Sequence, residues 1–296
     1  MKRFIIQAAV FTAAVLVSAP LPDRSAQAAT PEDVLVMGWT MAIYRTLDPA
    51  DIGETYVDEV LNNVCDPLLF QHHEDPTELL PGIAESWEVS EDATTYTFNI
   101  RPGLTFPSGN PVTAHDTAWT IHRNVELNLN SSIRHKEWGF TAENVRQRVV
   151  AKDDLTLVVT LDAPAAPNLF LTQVFTGIPG FTLDRAEIMK HETNGDWGNA
   201  WLSKTSACIG PYKVVNWTPN DVLVLRENEG YWRHDPYIRQ VVIRHIPEGG
   251  TQRLLLEKGD IDVARNITSS DLEAIEANWS SPGFVDGYTL ADSSRS

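Results

Sequence analysis

Segments with strand periodicity and segments with helix periodicity alternate along almost the whole chain, and this mixture most constrains the fold. Residues 86–90 and 95–101 alternate polar and apolar side chains on either side of a turn at 91–93, which predicts two paired strands. From about Glu54 to Val64 the apolar residues instead follow helical spacing. No tandem repeat with a period of about 20 to 50 residues is evident. The sequence therefore predicts an α/β or α+β protein.

The remaining elements are predicted from the same two periodicities. We expect strands at 34–39, within 145–161 on either side of a turn at 153–154, and at 213–217, 222–227, 241–246 and 261–264. We expect helices at 113–128, 168–174, 251–258 and 270–278. Thr113 followed three residues later by Asp116 is a pattern typical of a helix start, here that of the helix at 113–128. Gly259 is suited to end the helix at 251–258 as its C-cap.

The composition excludes several classes of protein. With a formal net charge of −17, the chain lacks the basic surface that nucleic-acid binding needs. Because 43% of the residues are hydrophobic, with many aromatic residues, a disordered chain is also excluded. Two Cys residues cannot form a disulfide scaffold or a four-thiolate zinc site. We therefore expect an acidic globular protein with no nucleic-acid partner.

Residues 1–28 are predicted to be a cleaved secretory signal peptide. Lys2 and Arg3 precede an apolar run from Phe4 to Val17, and the segment ends in the small-residue pattern at 26–28. The run is shorter than the roughly 20 apolar residues that a membrane anchor requires. We expect an exported, periplasmic mature chain with no membrane insertion. Export permits a bridge between Cys65 and Cys208, but the sequence leaves open whether they pair or stay free.

No catalytic or cofactor-binding motif is present. The chain contains no G-x-S-x-G elbow, phosphate-binding Walker loop or G-x-G-x-x-G fingerprint. The adjacent pair His72 and His73 lies in a polar turn without further ligands at a metal-binding spacing, which favours a solvated pair. We therefore predict a protein that is not an enzyme and has no metal and no cofactor.

Five segments in one order resemble the family 5 extracellular solute-binding proteins, the peptide- and nickel-type receptors of ABC importers. The segment at 108–116 (SGNPVTAHD), for example, is similar to the family's DGTPLTAEDV, and the segment at 210–217 (GPYKVVNW) to its GTGPYKLVEW. The other three are 80–106 (LPGIAESWEVSEDATTYTFNIRPGLTF), 227–232 (ENEGYW) and 253–262 (RLLLEKGDID). Two positions depart from the family pattern: Cys208 and Ala93 stand where the family often has Gly.

The resemblance implies an α/β, periplasmic-binding-protein-like architecture of the type with an extra subdomain. After the signal peptide at 1–28, we expect subdomain Ia at 29–70 and 203–265, and subdomain Ib at 71–202. Residues 266–296 would begin a second lobe, so that the first lobe is complete and the second largely missing. The alternatives left open are a fragment of such a receptor and a truncated copy that binds nothing.

The same resemblance implies a function and a site. Two lobes would close on a peptide or a similar small solute, and the closed form would dock on the permease subunits of an ABC importer; we expect a monomer. A nickel chelate, an opine or a sugar remains open as the solute, and a secreted hydrolase is the less favoured alternative. The expected ligand contacts are Ile43, Tyr44 and Arg45, after the first strand, and Trp138 in the smaller subdomain. For each, packing or surface pairing is the alternative role.

Overall fold

The computed structural model describes residues 30–53 and 55–278. The predicted signal peptide at 1–28 and residues 279–296 of the predicted second-lobe start (266–296) lie outside the described residues. The elements in chain order are β1 (Val34–Trp39), α1 (Thr55–Leu61), β2 (Leu69–Gln71), β3 (Leu79–Pro81), β4 (Ala84–Val89), β5 (Thr95–Ile100), α2 (Ala114–Leu127), α3 (Ser132–Glu137), α4 (Val145–Arg148), β6 (Val149–Ala151), β7 (Thr156–Thr160), α5 (Pro167–Phe175), α6 (Arg185–Ile188), α7 (Asn199–Leu202), β8 (Tyr212–Thr218), β9 (Val222–Glu227), β10 (Gln240–His245), α8 (Gly249–Lys258), β11 (Val263–Ala264) and α9 (Ser269–Asn278).

The larger sheet has five strands in the order β11-β1-β10-β9-β8. β1 pairs in parallel with both β10 and β11, whereas β8, β9 and β10 run antiparallel. The apolar residues of β1, β9 and β10 alternate between the two faces, and one face packs on α1 through residues such as Val57, Leu61 and Leu225. Because β1, β10 and β11 run in the same direction, their carboxyl ends lie at one edge of the sheet.

The smaller sheet has four antiparallel strands in the order β4-β5-β7-β6, and β2 and β3 form a separate two-stranded pair. The predicted hairpin is confirmed, because Trp87 of β4 lies opposite Phe98 of β5. Ala93 in its turn has a φ of +52°, the left-handed conformation that Gly adopts without strain. Tyr96 and Phe98 pack against Phe170 and Phe175 of α5, which places α5 over this sheet.

The predicted start of α2 is also confirmed. The Thr113 side chain accepts a hydrogen bond from the Asp116 backbone N–H, and the Asp116 carboxylate accepts one from the Thr113 backbone N–H. The expectation of strand from Val145 is wrong for its first four residues, which form α4. Val145 is buried there and Arg146 pairs with Glu126 of α2 at 2.6 Å, so contacts with α2 outweigh the β-branched character of Val145.

Two buried links join distant parts of the chain. Cys65 and Cys208 form a disulfide with their Cα atoms 4.8 Å apart, so the alternative of two free thiols is wrong. Close beside it, a Cβ added to Gly210 would lie 2.4 Å from the Val64 carbonyl, so only glycine fits there. The second link is the fully buried ion pair of Asp48 and Arg123.

The buried apolar side chains form two clusters, one under each large sheet. The cluster of the five-stranded sheet contains Leu47, Leu61 and Ile243, and also Phe181 and Leu202 from the segment after α5. The cluster of the four-stranded sheet contains Leu69, Phe98 and Phe175. The division into subdomains at residues 70, 202 and 265 stays a prediction.

Candidate functional site

The loops after β1, β10 and β11 meet at the edge of the five-stranded sheet where the parallel strands end. The Thr40 backbone N–H donates to Asn266 Oδ1 at 2.8 Å, and the Met41 backbone N–H donates to His245 Nδ1 at 2.8 Å. Ligands of open α/β sheets bind outside the carboxyl ends of the parallel strands. The loop that carries three of the predicted contacts therefore starts at the favoured edge of this sheet.

Within that loop, Ile43, Tyr44 and Arg45 have different surroundings. Ile43 is 45% exposed and Arg45 is exposed, whereas Tyr44 is buried. The Tyr44 hydroxyl donates to the Tyr56 backbone carbonyl at 3.3 Å, and its ring meets Trp39 edge-on at 6.2 Å. Burial raises the pKa of Tyr44 above its usual range. Tyr44 therefore anchors the loop on α1, and of these three residues Ile43 and Arg45 are exposed.

A cleft of about 970 Å³ is lined by residues of α1, β2, α3 and α5 and of the segments beside them. It is lined by Ile52, Gly53, Asp58, Asn62, Pro67, Leu69, Phe70, Gln71, Asn130, Ser131, Ile133, Arg134, Thr172, Gln173, Thr176, Gly177, Ile178 and Pro179. Its volume lies within the usual range for small-molecule sites, roughly 300 to 1,000 Å³. The mixture of amide, hydroxyl and apolar groups with one carboxylate and one guanidinium suits a polar organic solute.

Arg45 reaches the rim of this cleft. A Cβ placed on Gly53 would lie 3.9 Å from Arg45 Nη2 and 3.6 Å from Asn130 Nδ2. Gly53 and Asn130 both line the cleft. The loop after β1 and the cleft are therefore neighbouring parts of one surface.

Trp138 does not line the cleft but contacts a residue that does. It is half-buried against Phe170, and its indole N–H donates to Gln173 Oε1 at 3.0 Å. Because an indole nitrogen can only donate, this bond fixes the Gln173 amide with its oxygen toward Trp138. The N–H groups of Gln173 are then the ones available to a ligand. The structure thus brings Arg45 and, through Gln173, Trp138 to the same cleft, whereas the Tyr44 side chain packs away from it.

The sequence-based prediction did not include Asp58, Asn62, Asn130, Arg134 or Gln173. Asp58 in α1 and Asn62 just after its end are four residues apart and directly follow the buried Val57 and Leu61, so spacing alone marks them only as part of a polar face. Which element lies across from that face depends on packing between segments far apart in the sequence. No local signal could have identified these residues as cleft-lining.

The described residues hold no group of three or more His, Cys, Asp or Glu side chains that could bind a metal ion. Over the same residues, none of the helices is both long and apolar enough to span a membrane.

The sequence of residues 78–285 matches the model of the bacterial extracellular solute-binding proteins, family 5. Among curated proteins, the chain is 28% identical over 255 residues to the probable D,D-dipeptide-binding periplasmic protein DdpA of Escherichia coli, covering 85% of this chain and 46% of that protein. It is 26% identical over 280 residues to the periplasmic oligopeptide-binding protein OppA of Salmonella typhimurium, covering 90% of this chain and 49% of that protein. The chain therefore spans about half the length of the curated relatives it matches.

Solved structures give the same picture of the fold. The binding protein MoaA of Agrobacterium tumefaciens, solved with mannopinic acid, matches with a TM-score of 0.72 at 23% identity, covering 84% of this chain and 48% of that one. At this identity the likeness shows the fold, which is the α/β fold of about half a periplasmic binding protein.

Proposed function

Because this chain belongs to family 5 of the bacterial extracellular solute-binding proteins, we propose that it serves as the solute-binding component of an ABC importer. It captures a peptide or a similar small solute in the periplasm and delivers it to the permease subunits in the membrane. The family resemblance inferred from the five motifs is confirmed. The single observation that carries the proposal is the family match over residues 78–285.

The proposed solute-binding surface joins the exposed loop after β1 to the cleft. Ile43 supplies an apolar contact and Arg45 a guanidinium that can form paired hydrogen bonds with a carboxylate. Tyr44 holds the loop against α1, and Trp138 orients Gln173. The two ends of this surface meet at the cleft, because Arg45 reaches its rim and Gln173, held by Trp138, lines it. Ile43, Tyr44, Arg45 and Trp138 therefore act together on one solute.

We further propose that the protein binds its solute without transforming it. The relatives whose names state a function are binding proteins, and the motifs of hydrolases and nucleotide-dependent enzymes are absent from this sequence. The protein acts as a monomer after export through a cleaved signal peptide, and its partners are the solute and the permease subunits.

Thermal unfolding of the purified chain in the presence of solutes tests the proposal. A ligand that binds only the folded state at about 100 times its Kd stabilises that state by about 2.7 kcal/mol, so the melting temperature rises. We expect such a rise with at least one of four solute classes: unmodified di- to pentapeptides, a nickel–histidine chelate, an opine or a sugar. Arg45→Gln should reduce the rise, whereas Asp235→Asn, in an exposed loop, should leave it unchanged.

No rise with any of the four classes would contradict the proposed function. Steady turnover of a bound solute by the purified protein would contradict it as well, because a receptor releases its solute unchanged.

A further inference from the structure

Arg265 directly follows β11 and lies beside Trp39, the last residue of β1. The two strands pair in parallel with Gly38 opposite Ala264, so Trp39 and Arg265 are the next residues in register. Side chains in register on neighbouring strands point to the same face of a sheet. The Arg265 guanidinium carbon accordingly lies 5.0 Å from the centroid of the Trp39 ring, a cation–π contact. A guanidinium therefore packs on the last aromatic side chain before the loop after β1.

Helix α1 supplies the other side of this contact. Tyr56 and Glu59 are three residues apart in α1, a spacing that places both side chains on one face of a helix. The Arg265 guanidinium carbon lies 5.1 Å from the Tyr56 ring centroid, and its two terminal nitrogens donate to the two carboxylate oxygens of Glu59. Among charged side chains, only arginine combines a paired contact to a carboxylate with stacking of the same planar group on a ring. Arg265 therefore links the ends of β1 and β11 to α1.

The same two rings support Tyr44, the buried residue of the loop after β1. The Tyr44 ring meets Trp39 edge-on at 6.2 Å, and the Tyr44 hydroxyl donates to the Tyr56 backbone carbonyl at 3.3 Å. The centroids of the Trp39 and Tyr56 rings are 5.9 Å apart. Because Arg265 contacts both rings, it holds together the surface on which Tyr44 packs.

The backbone at Arg265 is fixed from within the protein. Gln252 of α8 is completely buried, and its Oε1 accepts the backbone N–H groups of Arg265 and Asn266 at 2.9 and 3.0 Å. Asn266 Oδ1 in turn accepts the backbone N–H of Thr40, at the start of the loop after β1. A side chain orients its neighbours well only when its own support is held by packing and hydrogen bonds. Arg265 meets this condition.

From this arrangement we propose that Arg265 is a positioning residue of the solute-binding site. It holds together the two rings on which Tyr44 packs, and so fixes Ile43 and Arg45, which flank Tyr44. The inference rests on the proposed solute-binding function and adds a residue that acts through others. The Arg265–Glu59 pair is partly exposed, and ion pairs accessible to solvent contribute little to the stability of a fold. Loss of the pair should therefore change the loop and the solute affinity more than the overall stability.

Hydrogen exchange followed by mass spectrometry tests the position of the loop without a solute. We expect Arg265→Gln to increase the exchange rate of the amides in residues 40–47 about threefold or more, because the loop opens more often. Exchange in the β4–β5 hairpin and the midpoint of urea unfolding should stay at wild-type values. Arg239→Gln makes the same change in the Arg239–Glu227 pair of the same sheet and should leave residues 40–47 unaffected.

A double-variant cycle tests whether Arg265 acts together with Glu59. Glu59→Gln should increase the exchange in residues 40–47 as Arg265→Gln does. The double variant should exchange little faster than either single variant, because both substitutions remove the same contact.

Solute affinity is the second measurement. Calorimetric titration of the wild-type chain with unmodified tripeptides, a nickel–histidine chelate, an opine and a sugar identifies a probe that binds. Arg265→Gln should bind that probe about threefold to tenfold more weakly, because the loop samples the binding position less often. Arg239→Gln should bind it as the wild-type chain does.

The outcomes separate this role from the proposed function. If a probe binds the wild-type chain, the function stands, and either unchanged exchange in residues 40–47 or unchanged affinity in Arg265→Gln overturns the role of Arg265. An equal rise of exchange in the β4–β5 hairpin overturns it as well, because the change is then a general loss of stability. Additive effects of Arg265→Gln and Glu59→Gln contradict a shared contact and overturn it too. If no probe binds the wild-type chain, both proposals fail.

Discussion

At the residue scale, two buried titratable groups respond to pH in opposite directions. Asp66 accepts hydrogen bonds from the Tyr231 hydroxyl at 2.8 Å and from the Trp232 indole N–H at 2.7 Å. Burial nevertheless raises the pKa of Asp66 to about 6, although these two bonds and the Arg233 guanidinium oppose the rise. His135, in α3, is completely buried, which lowers its pKa to about 4.

The signs of the two effects follow from which state binds the proton. Between pH 3.8 and about 6, Asp66 is protonated in the folded state but ionised in the unfolded one, so it adds stability as the pH falls through that window. Between pH 6.5 and about 4, His135 is neutral in the folded state but protonated in the unfolded one, so it removes stability as the pH falls. In the intact protein the two contributions largely offset each other.

Substitution of either residue should expose the contribution of the other. We predict that His135→Gln shifts the change in unfolding free energy from pH 6.5 to pH 4 by about 1 to 3 kcal/mol in favour of the folded state at pH 4, relative to the wild-type chain. Asp66→Asn should shift that change by a similar amount in the opposite direction. Denaturant unfolding across this pH range measures both, and exposed His73→Gln is the control with an unchanged slope. Slopes that change in the same direction for both variants would contradict the assignment.

At the element scale, one buried ion pair joins three separate segments. Arg123 of α2 donates to both carboxylate oxygens of Asp48, at 2.8 and 2.5 Å, and its Nε donates to the Trp197 carbonyl at 2.9 Å. Asn199 of α7 donates to the same carboxylate at 2.7 Å. The loop before α1, helix α2 and the segment leading into α7 are therefore held at one polar point inside the protein.

Breaking this pair from one side leaves a buried charge without its partner. We predict that Arg123→Met lowers the free energy of unfolding by about 3 to 5 kcal/mol. Adding Asp48→Asn should recover part of the loss, because the double variant buries no unpaired charge. Arg239→Met breaks the Arg239–Glu227 pair, in which Arg239 is exposed, and should lower the free energy of unfolding by about 1 kcal/mol or less. Urea titration of the variants measures these losses. Equal losses for Arg123→Met and Arg239→Met would refute the prediction.

Elements set by local rules were predicted closely from the sequence, and those set by packing were not. The hairpin of β4 and β5 and the capped start of α2 depend on neighbouring residues, and both were predicted. Helix α4 was not, because its four residues depend on contact with α2, about 20 positions earlier. The short pair β2 and β3 was not predicted either, because each strand has only three residues, too few to show strand periodicity.

At the scale of the whole molecule, the disulfide joins residues 143 positions apart in the sequence. Such a bond restricts the unfolded chain over nearly half its length. We predict that the double variant Cys65→Ala, Cys208→Ala loses about 2 to 5 kcal/mol of unfolding free energy and keeps its fold at low temperature. Denaturation with and without a reducing agent measures the effect. The wild-type chain should fall to the level of the variant when reduced, and the variant should not respond to the reductant.

The candidate site was predictable only in part. The loop after β1 could be proposed because it follows a buried strand and because the resemblance pointed to it. Asp58 and Gln173 could not, because the cleft that they line is formed by segments far apart in the sequence. Trp138 was proposed as a ligand contact, but its indole N–H donates to Gln173, a residue 35 positions later in the sequence.

The family, the mixture of strands and helices, and the local turns and caps could be inferred from the amino-acid sequence, because they depend on periodicity, on residue types at fixed spacing and on neighbouring residues. The packing of distant segments, by contrast, set the bridge between Cys65 and Cys208, the pairing of Asp48 with Arg123, and the hydrogen bond by which Trp138 orients Gln173 at the cleft. The physical reason is that hydrogen bonding, burial and charge pairing are properties of groups brought together in space. Residues distant in the sequence come together only when the apolar clusters pack.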